Sequence, residues 1–248
     1  MIIGQKRLLT ISLWRLYIML NKTDLNGVKD IAITLLYLTI KTDSTFPFIC
    51  YHPFIDSPYG LSQDKKIVDY TKDCSALSYW RKEQKNKINN SNLNQIYNMV
   101  SSKYKLTFLK YTKEYLSKKE FSVLLADAWV TEENPNMDIN CPLRDVIKWF
   151  KQSDVHYLMK PSDYKIYTTL PSEFDVYRGV ANGRNPGGIS WTRDYNLANW
   201  FSHKFDTNEN KGYVQKATIK KEDVLAYFNT RGENEIVVKV PCKMVRIV

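Results

Sequence analysis

The sequence predicts an α+β protein, with an N-terminal helical region followed by a mixed or antiparallel β-sheet core and flanking helices. Apolar residues recur at helical spacing as far as Phe150. After Leu170 the texture changes to short β-branched and aromatic runs separated by Gly, Asn and Pro. The 248 residues are 44% hydrophobic and 13% aromatic, with 9 Gly and 9 Pro. That composition can bury a core and excludes disordered, collagen-like and low-complexity classes.

In chain order, Leu8 to Leu20 and then Val28 to Leu38 form two apolar helical stripes broken at Asn26-Gly27. Pro47, Pro53 and Ser57-Pro58-Tyr59-Gly60 are turn chemistry, and the polar stretch Asp64 to Asp73 reads as a surface helix or loop. Arg81 to Gln95 is almost devoid of large apolar groups and reads as an exposed linker, giving a boundary between a helical region 1–95, of no assigned activity, and a second region 96–248. Helical stripes return from Ile96 to Phe150 and form a lead-in that runs to 170. Strands are expected at Phe174–Tyr177, Gly188–Trp191, Gly212–Ile219, Glu235–Val240 and Met244–Val248. One helix, N-capped by Asp194, interrupts them and carries Leu197, Ala198, Phe201 and Phe205.

Lys+Arg exceed Asp+Glu by 36 to 26, a formal charge of +10 that favours polyanionic neighbours such as nucleic acid. The Leu8–Leu20 run contains Arg15 and is shorter than the roughly 20 residues that span a bilayer, so we expect no membrane helix. The same stretch lacks a small-x-small cleavage site, and the expected location is cytoplasmic. Cys50, Cys74, Cys141 and Cys242 are widely spaced, without Cys-x-x-Cys or a nearby His, and read as buried thiols rather than a zinc site or disulfide framework. His52, His156 and His203 have no ligand spacing and no expected role.

Three short pieces of the last third carry chemistry: Val176-Tyr177-Arg178-Gly179, Gly188-Ile189-Ser190-Trp191-Thr192 and Glu233-Asn234-Glu235-Ile236-Val237-Val238. Alternation along a strand sends Glu233 and Glu235 to one face, and two carboxylates there are costly unless a cation or polar group meets them. An edge strand with a charged solvent face is the plainer account of such a pair. Arg178 offers a guanidinium where Gly179 lets backbone approach a ligand. Ser190 and Thr192 project together, opposite the Trp191 indole, and have an ordinary use in strand and cap hydrogen bonding.

Read together, these pieces resemble the arginine-serine-glutamate class of mono-ADP-ribosyltransferases. The nearest likeness is to bacterial and phage-type toxin-like members reading Tyr-Arg-Gly, then Ser-Trp-Thr with an Ala-x-x-Phe helix, then Glu-x-Glu before an aliphatic run. Here these are Tyr177-Arg178-Gly179, Ser190-Trp191-Thr192 with Ala198 and Phe201, and Glu233 to Val238. Lys221 to Phe228 is similar to the turn preceding the glutamate strand, and Ala128-Trp129, Glu133-Asn134, Leu158-Met159 and Leu170-Pro171 to the helical lead-in. The likeness spans about residues 96–248 and includes nothing before.

The resemblance implies an ADP-ribosyltransferase-like core that cleaves NAD+, as co-substrate, between nicotinamide and ribose and hands ADP-ribose to a nucleophile. It makes Glu235 the carboxylate beside the ribose, Glu233 the group that orients or deprotonates the acceptor, and Arg178 the partner of pyrophosphate or ribose. Ser190 holds ribose and Glu235, while Gly179 and Thr192 complete the dinucleotide contacts. Trp191, Phe201, Phe205 and Tyr213 compete to stack on nicotinamide, with Phe205 or Tyr213 favoured. Each of these aromatics has core packing as its ordinary use.

No metal is expected, because the departing nicotinamide needs only a preorganised electrostatic site. The Glu-x-Glu form is similar to members that modify protein arginine, whereas the positive charge suits a nucleic acid acceptor. An intracellular toxin, toxin-antitoxin or phage-defence effector with an antitoxin or inhibitor partner fits either acceptor. The contrasting reading is a non-catalytic, basic nucleic-acid-binding module.

Overall fold

Asp24, Asp73 and Asn92 each stand just before a helix and accept hydrogen bonds from its first free N–H groups, so the N-terminal helices begin where short polar side chains can satisfy orphan donors. The computed structural model describes residues 22–135, 138, 140–207, 209–239 and 243–247. The expected helix at Leu8–Leu20, Cys242 and the strand ends at Val240 and Val248 lie outside the described residues. The chain divides into two compact units after Phe121.

In the N-terminal unit, α1 (Leu25–Leu36) buries Val28, Ala32, Leu35 and Leu36 of the expected stripe, whereas Leu38, expected to extend it, lies past the helix end and is exposed. Two short antiparallel pairs follow, β1 (Lys41–Thr42) with β2 (Cys50–Tyr51), and β3 (Tyr59–Leu61) with β4 (Ile67–Asp69). The second pair corrects the expected surface helix or loop at 64–73. Asp64 and Lys65 lie in a hairpin connection where Lys65 takes φ 60°.

The expected linker at 81–95 is also corrected, because α2 (Cys74–Asn90) and α3 (Leu93–Met99) occupy it. Lys, Glu and Gln are good helix formers, and α2 needs only Ala76 and Ile88 fully buried, with Leu77 and Trp80 packed on a core of Ile40, Cys50 and Tyr70. Asn92 and Gln95 form a reciprocal capping box at the start of α3. α4 (Lys105–Thr112) follows, and α5 (Lys118–Thr131) spans the division at Phe121. Cys50 and Cys141 are buried as expected, but Cys74, in the first turn of α2, is exposed.

The C-terminal unit continues with α6 (Leu143–Gln152), α7 (Val155–Leu158) and α8 (Pro161–Thr168), then six strands: β5 (Glu173–Val180), β6 (Ser190–Thr192), β7 (Tyr213–Lys220), β8 (Val224–Phe228), β9 (Glu235–Val238) and β10 (Val245–Ile247). α9 (Tyr195–His203) lies between β6 and β7. The sheet order is β10-β7-β5-β6-β9-β8, and every pairing is antiparallel. This is an α+β unit. Val176, Ala217, Trp191, Ile236 and Val238 are core residues of the sheet, while Trp129 and Phe150 bring helical aromatics to it.

The place of α9 is set by Gly179. A Cβ there would lie 2.1 Å from the Ala198 carbonyl oxygen and 2.6 Å from the Ser202 amide, so only glycine lets α9 settle this close to β5. Asp194 caps the helix through the amides of Asn196 and Leu197, as expected, but Phe205 falls beyond its last turn.

Candidate active site

β6 lies between β5 and β9, and its register pairs Tyr177 with Thr192, Thr192 with Glu235 and Ser190 with Val237. Alternation therefore puts Ser190, Thr192 and Glu235 on one side and the buried Trp191 and Ile236 on the other. Ser190 Oγ donates to Glu235 Oε1 at 2.5 Å, and the indole Nε1 of Trp129, from α5, donates to the same oxygen at 2.9 Å. No protein group donates to Glu235 Oε2 among the described residues.

Arg178 is held by backbone. Its Nη1 donates to the Ser190 carbonyl at 2.6 Å and its Nη2 to the Asn185 carbonyl at 3.0 Å, while the buried Nε has no partner among the described residues. Gly188 makes room for this guanidinium, since a Cβ there would stand 2.1 Å from Nη2. The connection 181–189 between β5 and β6 thus wraps the arginine head.

Burial pushes the Glu235 carboxyl above the ordinary glutamate range. Hydrogen bonds from Ser190 and Trp129 oppose that push, the Glu233 charge adds to it, and Arg178 opposes it more weakly. Burial also lowers Arg178 to about 10, against the pull of Glu235 and Tyr213, which leaves the guanidinium charged at neutral pH. A charged guanidinium near a desolvated carboxylate with an unspent oxygen is a pair suited to a polar ligand.

Arg178, Gly179, Ser190, Thr192, Glu233 and Glu235 all line one cavity of about 280 Å³. Thr192 Oγ1 accepts from the Asp194 amide at 3.1 Å, so that hydroxyl also supports the α9 cap. The expectation that Glu233 and Glu235 share a strand face is corrected. β9 starts at Glu235, and Asn234 adopts φ 46°, a left-handed conformation that asparagine tolerates. Asn234 is fixed there by the Tyr227 hydroxyl at 2.6 Å and the Asn229 side chain at 3.2 Å, so Glu233 reaches the cavity from a turn.

Of the two favoured aromatics, Phe205 lines the cavity, 41% exposed, with the Arg184 guanidinium 4.9 Å from its ring centroid. Tyr213 is not among the lining residues, and Arg246 covers its ring at 4.2 Å. Trp191 and Phe201 both line the cavity, but the Trp191 indole is buried and donates to the Gly188 carbonyl at 3.2 Å.

Sequence reasoning missed the Trp129 bond to Glu235, because its α5 stripe marks a core residue and gives no sign of the partner 106 positions away. It also missed Trp200, which lines the cavity yet is 58% exposed. The cavity wall mixes charges, with Arg184, Lys204 and Arg231 beside Glu132, Glu133 and the two predicted glutamates.

The net positive charge lies mostly elsewhere. Residues 1–121 hold 19 Lys+Arg against 10 Asp+Glu, and residues 122–248 hold 17 against 16. Among the described residues no group of three or more His, Cys, Asp and Glu side chains could hold a metal ion, and no helix is long and apolar enough to cross a membrane. No family model, curated protein or solved structure matches this chain.

Proposed function

We propose that the C-terminal unit is a mono-ADP-ribosyltransferase, which cleaves NAD+ and transfers ADP-ribose to a macromolecular acceptor. The observation that carries this reading is the convergence of Arg178, Ser190 and Glu235 on one cavity, with Glu235 Oε2 accepting from no protein group among the described residues. NAD+ offers complementary groups: anionic phosphates for a guanidinium and ribose hydroxyls for a carboxylate.

In the reaction the bond between ribose C1′ and the nicotinamide nitrogen breaks, and nicotinamide leaves as a neutral molecule with the bonding pair. Positive charge grows on the ribose, where the Glu235 carboxylate, already desolvated, stabilises it. The acceptor bonds C1′ and gives its proton to Glu233, which stands in the same cavity. Arg178 draws the dinucleotide in, and Ser190 fixes the direction of Glu235.

Acceptor and setting follow from charge and motif. The Glu-x-Glu pair suits a protein arginine, and the 19-to-10 excess of cations in residues 1–121 suits a nucleic acid base delivered by binding to that unit. An effector acting in the cytoplasm, with an inhibitor protein to restrain it, is the setting this chemistry fits.

Incubating the full chain with NAD+ labelled in the adenylate moiety, together with separate protein and RNA/DNA fractions, tests the reading. Label in one fraction, absent with Glu235→Gln, is the expected result and identifies the acceptor class. Label in neither fraction, or equal label with Glu235→Gln, overturns the transfer.

A further inference from the structure

Trp129 and Trp191 are both buried, and they spend their indole N–H groups differently. Trp191 donates to a backbone carbonyl, the usual way to satisfy a core indole, whereas Trp129 donates to the ionisable Glu235. We infer that Trp129 is a positioning residue for Glu235: its indole N–H and the Ser190 hydroxyl together occupy Oε1 and leave Oε2 as the oxygen offered to substrate. The inference rests on the reading of the cavity as an NAD+ site.

The packing holds the donor in place from both ends. The Trp129 ring meets Phe150 of α6 edge-on, with centroids 5.3 Å apart at 85°, and Phe150 meets Phe228 of β8 at 6.4 Å. Phe228 is the register partner of Glu235 across β8 and β9, so the chain of contacts closes on the strand that carries the carboxylate. A glutamate's terminal torsion is broad and nearly two-fold, and one hydrogen bond leaves the carboxylate plane free to swing about it. Two donors from different elements, α5 and β6, converging on one oxygen fix that plane. The charged groups around the carboxylate are Arg178 from β5 and Glu233 from the turn before β9. The cavity wall adds Glu132 and Glu133 after α5, Arg184 between β5 and β6, Lys204 after α9 and Arg231 between β8 and β9.

The test keeps the indole proton and the chemistry apart. In wild type labelled with ¹⁵N-tryptophan, the Trp129 Nε1–H resonance is expected to move with pH at the midpoint of Glu235, and to lose that movement in Glu235→Gln. A resonance that does not move with that midpoint overturns the inference without any Trp129 variant having to fold. Trp129→Phe keeps an aromatic ring and removes the N–H. It is expected to raise the Glu235 carboxyl midpoint, followed by ¹³C-carboxyl titration, by about one unit, and to lower kcat for nicotinamide release about tenfold with KM changed less than threefold. Loss of thermal stability with unchanged titration and kcat shows a packing role alone and overturns it. If wild type releases no nicotinamide, the NAD+ reading fails and the inference about substrate falls with it, while the two titrations still report whether Trp129 holds Glu235.

Discussion

The two compact units divide between them what the whole sequence blends. Residues 1–121 carry 19 cations against 10 anions, while residues 122–248 are nearly balanced at 17 against 16 and contain the cavity where Arg178, Ser190 and Glu235 meet. Of the net charge of +10, +9 therefore belongs to the first unit, while the candidate chemistry belongs to the second. Long-range attraction governs association, whereas bond cleavage needs charges fixed within a few ångströms, so neither property predicts the other.

If the chemistry belongs to the second unit, Glu235→Gln should lower nicotinamide release by about 10²- to 10³-fold with the fold intact, as measured by steady-state kinetics beside circular dichroism. Release that survives this change breaks the division at its strongest point. Gly188→Ala sharpens it, because the new Cβ must displace the Arg178 head while leaving every proposed reacting group in the chain. KM for NAD+ should rise by about tenfold, the worth of one charge-assisted hydrogen bond.

Gly179→Ala should cost about 1 to 3 kcal/mol of stability in chemical denaturation, because backbone atoms of α9 cannot yield to the added methyl as a side chain could.

The units should also respond to acid with opposite signs. His52 is buried with its Nε2 3.3 Å from the Leu36 carbonyl, and burial lowers it to about 4, assisted by the Arg81 charge and opposed by the backbone of Leu36 and Leu38. The unfolded chain takes up that proton near 6.5, so the first unit loses stability as pH falls from about 6.5 to 4. Glu235 is raised in the folded state, which binds its proton first, so its contribution to the second unit's stability rises as pH falls toward the ordinary glutamate range. Amide exchange of α1 and β9 across this window reads the two trends separately, and the same sign in both would contradict the assignment. The smallest effect is expected from Lys82→Glu with Lys85→Glu in the first unit. Retention on RNA should fall with its salt dependence, while nicotinamide release from NAD+ stays within about twofold.

Much of the C-terminal unit was legible in sequence. β5, β6, β7 and β9 appear where β-branched runs meet Gly and Asn, and α9 starts at Asp194. Arg178, Ser190 and Glu235 were recognisable as a set, and the register of β6 against β9 brings the last two together. The placement of Glu233 was not legible, because strand alternation assumes an unbroken strand and Asn234 takes a left-handed conformation instead.

The α2 helix was hidden for a different reason. A surface helix of lysines, glutamines and asparagines has little apolar periodicity, although Asp73 and the Asn92-Gln95 pair marked helix starts. Trp129 was visible only as a core residue, since a hydrogen bond to a partner so distant along the chain leaves no local pattern.

The most direct measurement is the time course of nicotinamide release when the full wild-type chain meets millimolar NAD+. The account predicts release that grows with time and enzyme concentration. A folded chain that binds no NAD+ and frees no nicotinamide, alone or with protein and nucleic acid acceptors present, would contradict it.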